Sequence, residues 1–119
     1  MCYIAMDKFF LTFDQFKKIN ETIRGEPEFA FCFDSDTEYM IIKYDDEVSF
    51  QRCGCGKEGS GEFFFPDLDT LYHAVTVDNI CLKRDWERIE LMYINDSFML
   101  SNDMKQDLGL ICERYHVDL

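Results

Sequence analysis

Phenylalanine recurs at every second position of Glu28–Phe33, as Phe29, Phe31 and Phe33, with Ala30 and Cys32 between them. A β-strand sends successive side chains to opposite faces, so this run has one aromatic face and one face of small residues. Two further runs alternate in the same way. Glu38–Tyr44 places Met40, Ile42 and Tyr44 on one side, and Glu47–Cys53 sets Val48 and Phe50 against Ser49 and Gln51. Joined by the acidic connections Asp34–Thr37 and Asp45–Glu47, the three runs read as a half-buried antiparallel meander. Pairing Tyr44 with Val48 and Ile42 with Phe50 gathers all four on one face and calls for a three-residue or bulged turn.

Helices flank the meander. Thr12 with Gln15 three residues on forms a capping box, and Phe13, Phe16, Ile19 and Ile23 follow at helical spacing. Gly25 and Pro27 stop that helix, which is expected over about Phe13–Arg24. Beyond the glycine-rich loop Gly54–Gly61, Glu62–Phe65 is a fourth short strand ended by Pro66. Asp67 caps a short helix carrying Leu68, Leu71, Tyr72 and Val75. Asp78-Asn79 makes a turn. One or two helical turns around Leu82–Arg88, with Trp86 inward, precede a strand at Ile89–Ile94. Ser101 then caps a last helix striped by Met104, Leu108, Ile111, Cys112 and Tyr115.

The order α-β-β-β-β-α-α-β-α predicts an α+β fold: a mainly antiparallel four- to five-stranded sheet with helices packed on one face. At 119 residues the chain is expected to be a single domain, 1–119. Twelve Phe, six Tyr and one Trp supply a core despite the charge. No stretch approaches the roughly 20 apolar residues of a membrane span. The start shows no secretory signal pattern, and the six cysteines fall largely in apolar patterns. A cytoplasmic location with reduced thiols is the expectation, and the sequons at Asn20 and Asn95 are read as chance.

Charge is the second constraint. Twenty-four Asp and Glu against twelve Lys and Arg give a net −12. Residues 26–47 hold eight carboxylates (Glu26, Glu28, Asp34, Asp36, Glu38, Asp45, Asp46 and Glu47) and one base, Lys43. From Glu58 to Asp78 there are five more acids and no Lys or Arg. Such a field repels nucleic acid and anionic membrane and attracts basic protein surfaces. The aromatic rings lack the basic groove that single-stranded nucleic acid requires.

Motifs for chemistry are sparse. Cys53-Gly-Cys55 offers two thiols one residue apart, half of a metal or redox site, yet structural zinc sites use two pairs with wider spacing. Gly54, Gly56 and Gly59 spell a dinucleotide fingerprint, but their loop leads into a Phe-rich strand where the fingerprint needs a helix N-terminus. Asp34-x-Asp36-x-Glu38 starts like a calcium loop and has Tyr39 where the turn glycine belongs. His73 and His116 are the only histidines, and no nucleophile elbow accompanies them. The expectation is a non-enzyme with no cofactor or metal.

The acid-rich turns Asp34–Glu38 and Asp45–Glu47, the base-free stretch Glu58–Asp78 and the aromatic α+β pattern give a chain that resembles inhibitors encoded by phages and mobile elements. These include anti-CRISPR and other anti-defence proteins, and the immunity proteins that neutralise toxins. The likeness is one of overall character, so no family residues carry over. It implies a protein that binds a basic partner, a nuclease or other nucleic-acid-binding protein, and occludes its working surface. The candidate contact residues are Asp34, Asp36, Glu38, Asp45, Asp46, Glu47, Glu58 and Glu62, with Tyr39, Tyr44 and Phe64 as aromatic anchors. A small metal or redox protein built on Cys53 and Cys55 is the alternative. The oligomeric expectation is a monomer, or a homodimer paired through the Glu62–Phe65 edge.

Overall fold

Six strands form one antiparallel sheet in a computed structural model that describes residues 8–54, 58–102 and 106–119. They are β1 (Glu28–Cys32), β2 (Glu38–Lys43), β3 (Val48–Arg52), β4 (Phe63–Phe65), β5 (Leu91–Ile94) and β6 (Phe98–Ser101), ordered β4-β3-β2-β1-β5-β6. With helices α1 (Phe13–Thr22), α2 (Leu68–His73), α3 (Leu82–Asp85) and α4 (Gln106–Tyr115), this is an α+β fold.

The sixth strand corrects the four to five expected. Ser101, read as a helix cap, closes β6 opposite Leu91. A tight reversal makes this possible: Asn95 and Asp96 both take left-handed φ, 51° and 56°, and the Ser97 N–H donates to the Ile94 carbonyl at 3.0 Å. Asn and Asp tolerate that conformation better than other residues with a Cβ.

The β2 register also differs from expectation. Ile41 faces Phe50 and Lys43 faces Val48, so Tyr39 and Ile41 share the core row in place of Met40, Ile42 and Tyr44. The Tyr44 N–H donates to the Glu47 carbonyl at 2.8 Å, leaving Asp45 and Asp46 as a two-residue loop. Two polar groups make this register affordable. Tyr39 is 6% exposed and stacks on Phe50 at 5.8 Å, while its hydroxyl donates to Asp78 at 2.8 Å. Lys43 extends its amine to the carbonyls of Asn20 and Ile23, 2.7 and 2.9 Å away, where it caps the C-terminal end of α1.

The strand residues of the core, among them Phe29, Phe31, Ile41, Phe50, Met92, Ile94 and Leu100, join Phe16 and Ile19 of α1, Leu71 of α2, Leu82 of α3, Ile111 of α4 and Trp86, which follows α3, in one cluster. Ala30 and Ile42 point to the other face and are buried outside that cluster. Trp86 lies inward as expected, its indole N–H donating to the Leu11 carbonyl at 2.8 Å. The Thr12–Gln15 capping box forms in both directions, and α1 ends two residues before Arg24 with Ile23 as its C-cap. Asp67 caps α2 by accepting from the Thr70 N–H at 2.7 Å. Val75, placed on the α2 stripe by spacing, lies past the helix end and is 68% exposed. Leu108 and Cys112 pack partly against the core, whereas Met104 lies outside the described residues.

Candidate functional site

β2 separates the two acidic turns. Six extended residues place the Asp34–Thr37 loop and the Asp45–Asp46 turn about 20 Å apart, at opposite ends of the sheet. The run of carboxylates in the sequence is therefore two surfaces, each with two bases nearby that are held largely by other groups.

At the end that carries Asp34, Asp36 and Glu38, Asp34 alone of the three has an ion pair among the described residues. Arg88 lies 3.8 Å from Asp34 and 5.0 Å above the Phe33 ring. Arg52 pairs with Asp78 at 2.7 Å and donates to the Glu58 carbonyl at 2.9 Å, which fixes the backbone of Glu58. Burial, and then Glu90, Glu38 and Asp36, push the Cys32 thiol up. Tyr39, a candidate anchor on sequence grounds, has its ring in the core and is removed from the surface.

At the other end, Asp45, Asp46 and Glu47 are exposed, and among the described residues none of the three has an ion pair. They line a groove of about 320 Å³ together with Asp67 and Asp69 at the start of α2 and Asn20 and Glu21 of α1. Its two bases are occupied. Lys17 holds Asp69 at 2.8 Å, which raises the lysine pKa, and Lys43 is directed at the α1 carbonyls. The Thr70 N–H holds the Asp67 carboxyl below its ordinary value, so this helix-capping acid stays ionised.

Next to this groove the sheet ends in aromatics. Phe64 is 52% exposed and lies 5.9 Å from the Tyr44 ring. The Tyr44 hydroxyl donates to Glu62 at 2.7 Å, a bond that raises the tyrosine pKa. Of the candidates named from the sequence, Tyr44, Asp45, Asp46, Glu47, Glu62 and Phe64 come together here; Asp34, Asp36, Glu38 and Glu58 do not. Asp67, Asp69 and Glu21 are additions. Asp67 and Asp69 belong to the base-free stretch, which was a signal for them, but the fold was needed to bring that stretch against the β2–β3 turn.

A larger cleft, about 490 Å³, lies between Lys8, Thr12, Arg84 and Trp86. Its aromatics are committed to packing: Phe13 stacks on Tyr72 at 4.0 Å, and Trp86 is tied to Leu11. Cys53 is half-buried, and Cys55 lies outside the described residues. Among the described residues no three His, Cys, Asp or Glu side chains converge as a metal site would need. Nor is any helix among them long and apolar enough to cross a membrane. No family model, curated protein or solved structure matches the chain.

Proposed function

We propose that the chain is a non-enzymatic inhibitor that docks on a basic, nucleic-acid-handling protein of the cytoplasm and occludes its nucleic-acid-binding or active surface. The observation that carries this reading is the β2–β3 end of the sheet. There Asp45, Asp46 and Glu47 are exposed with no ion pair among the described residues, the groove's Lys17 and Lys43 being held elsewhere, and they share the groove with Asp67 beside the Phe64–Tyr44 pair. Carboxylates at this density occupy Lys and Arg sites that would otherwise hold phosphates. The aromatic pair supplies the desolvated anchor that charge alone does not. The Asp34–Glu38 end, which has no exposed aromatic pair like Phe64–Tyr44 beside it among the described residues, contributes to long-range attraction more than to contact.

The test is capture from a lysate of the source organism or its host, comparing the wild type with the triple variant Asp45→Lys, Asp46→Lys, Glu47→Lys. A nucleic-acid-binding protein retained by the wild type and lost by the variant supports the reading. The same proteins retained by both exclude this surface.

A further inference from the structure

β4 is the outer strand of the sheet and pairs only with β3, so its far edge presents backbone N–H and C=O groups with no strand partner among the described residues. Exposed edges invite strand addition, and proteins usually blunt them with lysine, proline or a covering element. Here the strand is kept to three residues and ended by Pro66, so the open edge is short; it carries no lysine and is flanked by Glu62 and Asp67. Phe63 and Phe64 project to opposite faces, aligned with Phe50 and Ser49, and are 48% and 52% exposed. An added strand would therefore meet a half-exposed aromatic ring on each face.

We propose that this edge receives an extended, Lys- or Arg-bearing segment of the partner as a seventh strand; the inference rests on the function proposed above and specifies how the partner is held. Backbone hydrogen bonds to β4 would set the register, Phe63 and Phe64 would cover the apolar side chains of the segment, and Glu62, Asp67 and the Asp45–Glu47 turn would take its cations. A second copy of this chain is the poorer occupant. Antiparallel pairing centred on Phe64 would set Glu62 opposite Pro66 of the copy, which donates no backbone hydrogen bond, and would bring together two molecules of charge −12. The same carboxylates that repel the copy favour a basic strand.

The probe is the blocked peptide acetyl-Arg-Val-Arg-Val-Arg-amide, titrated at low salt into the full chain and followed by the backbone amide resonances. Two further peptides carry N-methyl groups on alternate backbone nitrogens, one set each. In a paired strand only every second N–H faces the neighbour. One methylated set should therefore bind about tenfold more weakly or worse, the equivalent of one to two lost hydrogen bonds, while the other binds like the parent. Shifts should centre on Phe63–Phe65, those amides should gain protection from hydrogen exchange, and Phe64→Lys should weaken the parent peptide similarly. Equal binding of both methylated sets, or shifts confined to Asp45–Glu47, overturns the strand model and leaves the inhibitor reading standing. Loss of lysate capture in the wild type overturns that reading independently. Concentration-dependent self-association with protection at Phe63–Phe65 also overturns the proposal, in favour of the second copy.

Discussion

Tyr39 and Asp78 are joined by a 2.8 Å hydrogen bond, hydroxyl to carboxylate, between the second strand and the turn that precedes α3. Asp78 has left-handed φ, 57°, and also pairs with Arg52, so one carboxylate ties β2, β3 and the turn together. Burial, and then the bond to Asp78, push the Tyr39 hydroxyl up to about 12 from 10.0. The fold favours the neutral phenol. Its contribution to stability is therefore fully present below about pH 10 and is lost as the pH rises towards 12. Tyr39→Phe should cost about 1 kcal/mol at neutral pH and remove this alkaline dependence, which urea unfolding at pH 8 and pH 11 would reveal.

Asp85 makes a matching prediction in acid. Its side chain is 4% exposed, yet it accepts from Arg84 at 2.8 Å, from Arg88 at 3.1 Å and from the Cys81 N–H at 3.1 Å. Burial pushes this carboxyl up, but the bonds from Arg84, Cys81 and Arg88 outweigh it and hold it below its ordinary 3.8. A depressed carboxyl stabilises the fold above that ordinary value and stops doing so as pH falls through its folded value. Asp85→Asn should cost roughly 2 kcal/mol at pH 7, and the gap from wild type should close below about pH 4 in thermal unfolding.

Lys43 separates stability from binding. Its amine caps α1 through the Asn20 and Ile23 carbonyls, and it lines the acidic groove. Lys43→Met should lower stability by about 1–2 kcal/mol while leaving the groove more negative. Denaturation should show the loss, and association with a basic partner should be no slower than for wild type.

Ionic strength should act mainly on the association rate. Exposed carboxylates steer over a Debye length of about 8–10 Å near physiological salt and are screened beyond it. Stopped-flow association with the captured partner should slow at least about tenfold between roughly 0.03 and 0.5 M salt, with a smaller change in dissociation.

Much of this architecture was legible where short-range chemistry decides it. Thr12 with Gln15 marked the start of α1, Asp67 the start of α2, and the Phe29–Phe31–Phe33 alternation identified the core face of β1. What escaped depended on distant partners. In β2 the consecutive Ile41 and Ile42 leave the inward face ambiguous, and the choice is settled by Asp78 accepting from Tyr39 and α1 accepting from Lys43. β6 was hidden because Ser101 and Asn102 look like a helix start, whereas the reversal at Asn95-Asp96 is what commits Phe98–Ser101 to the sheet. The candidate site was half legible: the acids of the β2–β3 turn stood out, but only strand length divides them from Asp34 and Asp36, and only tertiary packing adds Asp67 and Asp69.

Displacement of nucleic acid from the captured partner tests the central claim most directly. Labelled nucleic acid bound to that partner would be followed by fluorescence anisotropy as the chain is added. The account predicts release complete near one chain per partner, and no release by the Asp45→Lys, Asp46→Lys, Glu47→Lys variant. A stable ternary complex, with the nucleic acid still bound at saturation, would contradict it.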